Sequence, residues 1–172
     1  MDLQGFKQHI LPVQARLFRL AQMFLRNREE AEDATQNVLL KLWSNRQKLE
    51  TYQSVEALAV QMTKNECLDR IKSHARKKLT YDGDTSMTPA RDVSPYTQVE
   101  LTDSISLVRR LMDELPDQQK LVLHLREVEE YSFEEIEQIT GLNAVNIRVI
   151  LSRARQKLRE SYLKNNDYES GY

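Results

Sequence analysis

Between residues 12 and 26, apolar side chains recur as Val13, Leu17, Leu20, Ala21 and Phe24. That spacing returns to one face of a 3.6-residue helix, and Pro12 suits its first turn. Ala31, Ala34, Val38 and Leu42 repeat the stripe over a second predicted helix, about Glu29 to Arg46, with Trp43 beside them. Its acidic opening, Glu29, Glu30, Glu32 and Asp33, complements the positive end of the helix dipole. A third helix is expected from about Ser54 to Lys78, with Leu58, Met62, Cys67, Leu68 and Ile71 mostly on its buried side. Three amphipathic helices are enough for a small bundle.

The pattern then breaks. Residues 79–103 contain Gly83, Pro89 and Pro95, lack helical periodicity and read as an acidic, flexible linker. Beyond it, Ile105, Val108, Leu111, Met112 and Leu115 mark a helix that Pro116 interrupts, and Leu121, Val122 and Leu125 mark the next. The segment Ser132–Arg159 predicts a helix-turn-helix. Ser132 and Glu135 fit a capping box, Phe133, Ile136 and Ile139 share a face, Gly141 supplies the turn, and Asn143 caps the second helix. The fold class expected is therefore all-α: two small helical domains, residues 1–78 and 104–172, joined by the linker, the second holding the helix-turn-helix.

Composition narrows the reading. Four Gly, four Pro and 7% aromatic residues among 172 suit helices better than sheets. A lone cysteine excludes an internal disulfide, no apolar run is long enough to span a membrane, and the N-terminus lacks the layout of a signal peptide, so a cytoplasmic location without membrane insertion is expected. His9, His74 and His124 are scattered, and there is no Gly-rich phosphate loop or G-x-S-x-G, so neither a metal, a cofactor nor an enzymatic activity is expected. The net charge of −1 hides an uneven distribution: 14 Lys/Arg against 9 Asp/Glu over 1–78, one against five over 79–103, and 10 against 12 over 104–172. Bases cluster on two predicted helices, at Lys64, Arg70, Lys72, Arg76, Lys77 and Lys78, and at Arg148, Arg153, Arg155, Lys157 and Arg159. Clustered bases on a helix, with a helix-turn-helix, point to nucleic acid.

Three constellations carry candidate chemistry. Glu32, Asp33, Gln36 and Asn37 form a polar strip on one side of a helix. Asn65 and Asp69 offer an amide and a carboxylate suited to the edge of an unpaired base, with Lys64, Arg70, Lys72 and Arg76 placed for the phosphate backbone. In the recognition helix, Asn146, Arg148, Val149, Ser152 and Arg153 occupy the half that enters a groove; Arg148 and Arg153 are read as sharing a broad face, and either suits a bidentate contact to guanine. Arg155, Lys157 and Arg159 suit phosphates.

The two domains and their order resemble an extracytoplasmic-function sigma factor of the sigma-70 family. The stretch EEAEDATQNVLLKLW, Glu29–Trp43, is similar to the family's core-polymerase-binding segment; KNECLDRIKSHARKK, Lys64–Lys78, is similar to its −10 recognition helix; LPDQQKLVLHLREVEEYSFEEIEQITG and NIRVILSRARQKLRE are similar to its −35-binding domain. The resemblance implies core RNA polymerase, promoter DNA and an anti-sigma factor as partners. It places the Glu32–Asn37 strip against polymerase, Asn65 near the captured −10 base and Arg126 among the −35 contacts. The pattern departs from the family at Leu58, Ala59 and Val60, where aromatics are common, leaving only Tyr52 nearby to stack, and at Glu137, where most helix-turn-helices carry Ala. The rival reading is a helix-turn-helix regulator that acts without joining polymerase and has no need of the Glu29–Trp43 or Lys64–Lys78 segments.

Overall fold

The computed structural model describes residues 1–80 and 103–169, with side chains placed over 1–80 and 105–167. The expected linker lies almost wholly outside the described residues; at its margins, helix continues through Thr80 and resumes at Asp103. Every described element is helical: α1 Leu3–His9, α2 Gln14–Leu25, α3 Arg28–Ser44, α4 Val55–Thr80, α5 Asp103–Asp113, α6 Asp117–Leu123, α7 Phe133–Thr140 and α8 Ala144–Glu169. Short 3-10 turns at Leu11–Val13 and Arg46–Thr51 and a π-helical turn at His124–Val128 complete them. The chain divides into two compact units, Met1–Tyr96 and Thr97–Tyr172.

In the first unit, α2 packs against α3 and α4, and α3 against α4. The predicted stripes of α2 and α3 are buried throughout. Alanines form much of the seam: Ala21, Ala31, Ala34 and Ala59 are fully buried, so the backbones approach closely. Two buried hydroxyls are satisfied within their own helices, Thr35 by the Ala31 carbonyl at 2.7 Å and Thr63 by the Ala59 carbonyl at 2.8 Å. Arg26, at φ 55°, ends α2 in the left-handed conformation, and Asn27 at once caps α3 by accepting from the Glu30 amide at 3.0 Å.

The buried side of α4 differs from the expected one. Ala57, Ala59, Val60, Thr63 and Cys67 are buried, Leu58, Met62 and Leu68 are half-buried, and Ile71 is 40% exposed. The small residues face the seam, and every residue from Ile71 to Thr80 is exposed, so Ile71 is not buried by any of the described residues. Three features were not expected. The first is α1, which Asp2 caps and which places Phe6 edge-on to Trp43 at 5.2 Å. The second is the 3-10 turn that buries Leu49.

The third is the π turn after α6, in the second unit. There α8 packs against α5, α6 and α7, and Leu121, Val122, Leu125, Tyr131, Ile136, Ile139, Ile147, Leu151 and Ala154 form the core. The π turn carries a buried polar pair, His124 Nε2 lying 3.4 Å from Glu129 Oε1. The capping box of α7 is complete, with Ser132 Oγ accepting from the Glu135 amide at 3.2 Å and Glu135 Oε2 from the Ser132 amide at 2.7 Å. Gly141 sits at φ 73°, and a Cβ there would meet nothing within 4 Å, so only its backbone conformation demands glycine. Asn143 Oδ1 accepts from the Asn146 amide at 2.8 Å and opens α8 as expected.

Candidate nucleic-acid interface

The polar strip of α3 divides between two edges. Side chains four apart on a helix share a face, so Glu32 and Gln36 point one way and Asp33 and Asn37 another. Glu32 takes Arg28 Nε at 3.0 Å and, with exposed Gln36, borders an open groove of about 480 Å³ that Leu11, Gln14 and Phe18 line from the side of α2. Asp33 and Asn37 face α4. Asp33 Oδ2 accepts from Arg70 Nη2 at 2.8 Å, and Asn37 Nδ2 lies 3.5 Å from Glu66 Oε1.

Glu66 is the functional-region residue that sequence reasoning missed. It joins both helices, accepting from Lys41 Nζ at 2.7 Å and from Arg70 Nε at 3.1 Å. Burial pushes its carboxyl pKa up, but the hydrogen bonds from Lys41, Arg70 and Asn37 outweigh burial and hold it below the usual value. Arg70 mirrors it: burial favours the neutral form, and the bonds to Asp33 and Glu66 more than restore the charge. The i, i+4 spacing of Glu66 and Arg70 was a readable signal of an ion pair; the cross-helix partners were not readable. One turn further on, His74 Nε2 lies 2.7 Å from Glu30 Oε1.

On the other side of α4, Asn65, Asp69 and Arg76 are exposed and Lys64 is half-buried. None of Lys64, Asp69 and Arg76 has an ion pair among the described residues. Asp69 is therefore not ion-paired with the neighbouring bases, and Asn65 is open to solvent. Where aromatics were missed from the sequence, Leu58 is half-buried and Ala59 and Val60 are buried, while Tyr52 is 49% exposed. Cys67 is fully buried, and burial pushes its thiol up to about 12, so it is chemically quiet.

In α8, Ile147, Leu151 and Ala154 anchor the helix. Val145, Val149 and Ser152 run along the opposite, exposed face, the two valines 65% and 42% exposed. Arg148 and Arg155 border that face on one side, Asn146 and Arg153 on the other. A five-residue step turns a helix by about 140° from its starting direction, so Arg148 and Arg153 flank the face from opposite edges rather than sharing it. Arg148 lies over the Phe133 ring, with Cζ 5.1 Å from the centroid, and Arg126 occupies the same ring at 4.9 Å. Phe133 is accordingly half-buried, unlike Ile136 and Ile139.

The π turn sets two further contacts, through Arg126 and Glu127. Arg126 Nη1 donates to the Tyr131 carbonyl at 2.8 Å, so this expected DNA contact also holds the loop before α7. Glu127 pairs with Arg155, accepting from its Nε at 2.9 Å and also from Nη2. Lys157 Nζ lies 3.5 Å from the Glu114 carbonyl. Arg153 and Arg159 are exposed and have no ion pair among the described residues. Glu137, the departure from the usual small residue, is half-buried, and its carbonyl receives the Gly141 amide at 2.8 Å, so the turn closes normally around it.

A helix-turn-helix with an exposed, cation-bordered recognition helix, preceded by a separate helical unit with its own basic helix, fits the class of nucleic-acid-binding proteins. Sigma-70 region 2 matches residues 10–77, and Sigma-70, region 4 matches residues 105–158. The chain belongs to the sigma-70 family, in its extracytoplasmic-function group. It is 26% identical over 153 residues to the ECF RNA polymerase sigma factor SigE of Mycolicibacterium smegmatis, covering 87% of this chain and 58% of that protein. It is 25% identical over 148 residues to the ECF RNA polymerase sigma factor SigM of Bacillus subtilis, covering 85% of this chain and 88% of that one. Its fold is similar to that of the sigma factor RpoE solved in complex with the anti-sigma factor NepR from Bartonella quintana, with a TM-score of 0.72 and 24% identity over 93% of this chain and 98% of the other. Sigma factors as a family are non-enzymatic initiation factors. No helix among the described residues is long and apolar enough to cross a membrane.

Proposed function

We propose that this chain binds core RNA polymerase and directs it to a restricted set of promoters, acting in the cytoplasm and without catalytic residues of its own. Residues 1–78 bind polymerase and read the −10 element, 79–103 link the domains, and 104–172 read the −35 element. The observation that carries this reading is the occurrence of both family regions, in order, on separately packed units that each present a basic helix. In the first unit, Glu32, Asp33, Gln36 and Asn37 meet polymerase. Asn65 reads an unpaired base, and Lys64, Asp69, Arg70 and Arg76 surround the strand. In the second, Val149 and Ser152 form the centre of the groove-facing surface, with Asn146, Arg148 and Arg153 at its edges. Arg126 and Arg155 meet the flanking backbone. An anti-sigma factor that covers these surfaces is expected, since RpoE is seen bound by one.

The test is run-off transcription from a promoter library with core enzyme, followed by permanganate footprinting on a selected promoter. Asp33→Ala with Gln36→Ala weakens core binding while the helical circular dichroism is unchanged. Asn65→Ala spares −35 duplex binding and impairs opening. Arg153→Ala costs about 1–3 kcal/mol and relaxes selectivity at one or two −35 positions. Promoter binding with no core-dependent transcript would instead establish a regulator that acts without polymerase. Normal opening by Asn65→Ala together with full selectivity by Arg153→Ala would refute the site assignment.

A further inference from the structure

One cation of the −10 helix is already engaged within the chain. Arg70 is 20% exposed, and two carboxylates hold its guanidinium: Asp33 of α3 at Nη2 and Glu66 of its own helix at Nε. The neighbouring bases of α4 differ, since Lys64, Lys72 and Arg76 have no ion pair among the described residues. The two carboxylates also differ from each other. Glu66 is 15% exposed and tied to Lys41, so it is fixed in the seam. Asp33 is 62% exposed, sits on the opposite bank and belongs to the strip assigned to polymerase.

A guanidinium forks across two acceptors, and a carboxylate and a phosphate compete for the same N–H groups. While Asp33 holds Nη2, a DNA phosphate approaching Arg70 meets an anion already in place. A polymerase cation that takes Asp33 would remove that competitor and leave the Nη side of Arg70 for the strand. Glu66 would keep Nε and hold the side chain in position. We infer that Asp33 masks Arg70 in the free chain and that capture of Asp33 by a basic side chain of polymerase transfers Arg70 to the −10 strand backbone. Asp33 and Arg70 thus form one exchange point between two partners. The masking half stands on the ion-pair geometry alone; the exchange half rests on the assignment of Asp33 to polymerase.

The experiment follows binding of the full-length chain to a short fluorescent oligothymidylate as salt is varied. Each phosphate neutralised on a single strand adds about 0.7 to the slope of log affinity against log salt. Asp33→Ala is expected to steepen that slope by about 0.7 and to tighten low-salt binding about two- to fivefold, the size of an exposed ion-pair exchange. Adding Arg70→Ala to Asp33→Ala should remove both gains. Glu29→Gln, which takes one negative charge from the first turn of the same helix outside this chain of contacts, should give neither. An unchanged slope for Asp33→Ala, or an equal gain for Glu29→Gln, would overturn the mask. In the holoenzyme, where the unmasked Arg70 should act, Arg70→Ala should flatten the slope on a melted −10 strand by a similar amount, and equal slopes would overturn the exchange. A separate titration of Asp33→Ala against core enzyme reports on the polymerase assignment: undiminished affinity there refutes that assignment and the exchange, while the oligothymidylate measurement still decides the mask.

Discussion

Replacing Phe133 with leucine isolates what the shared ring does for the recognition helix. Leucine keeps apolar volume at the start of α7 and removes the π face beneath Arg126 and Arg148. Arg126 keeps its bond to the Tyr131 carbonyl, so the loop before α7 stays in place. Among the described residues Arg148 has no second anchor of that kind, and it regains its rotamer freedom. A guanidinium over an exposed ring contributes about 0.5–1 kcal/mol, and ordering a long side chain on binding costs about as much. If the ring holds Arg148 ready for the groove, Phe133→Leu weakens binding to a selected −35 duplex by about two- to fivefold. Fluorescence anisotropy with the holoenzyme at fixed salt measures this, and a double-mutant cycle with Arg148→Ala assigns it. In the Arg148→Ala background the leucine substitution should have little further effect. Tighter binding by Phe133→Leu would show that the ring sequesters Arg148 and would refute the reasoning. An undiminished effect in the Arg148→Ala background would place the role of the ring elsewhere.

Two further predictions concern stability. Gly141→Ala should cost about 1–2 kcal/mol in urea unfolding, because the left-handed conformation at φ 73° strains any L side chain while the site offers a methyl group ample space; a loss near zero would mean that the turn relaxes without cost. Glu66→Gln should destabilise the first unit by about 1 kcal/mol at neutral pH. Because the folded-state carboxyl pKa is lowered, the stabilisation is present above the unfolded value of about 4.3 and disappears as pH falls through the lower folded one. Urea midpoints of the two proteins should therefore converge as pH falls below the usual carboxylate range, and a gap that persists in acid would point to packing rather than charge.

The helices that carry the fold were legible because their signals are local. Val13, Leu17, Leu20 and Phe24 announce their helix by spacing alone, and Ser132, Glu135, Gly141 and Asn143 announce the turn by the backbone groups they satisfy. Ile71 misled because periodicity does not say where a helix outlasts its neighbours; the stripe continues in sequence after the bundle has ended. The π turn at His124–Val128 has no periodic signature, being a single widened turn, yet it sets both Arg126 and Glu127. The candidate site was legible as a set of side chains and not as a set of partnerships. Asp33 and Arg70 lie 37 positions apart, and only the packing of α3 on α4 shows that they share a bond.

In the recognition helix, the residues that hold it in place and the residues that face outward are separate sets. Ile147, Leu151 and Ala154 are buried, whereas Val145, Asn146, Val149, Ser152 and Arg153 are exposed and contribute little to the core. On the proposed −35 reading, substitution at these exposed positions changes what is read at small expense in folding, and a descendant chain could drift to a new promoter without passing through an unfolded ancestor. A designer seeking a sigma factor that ignores the host's own promoters has these five positions to vary, and Arg148 and Arg155 are poorer choices because Phe133 and Glu127 would have to change with them.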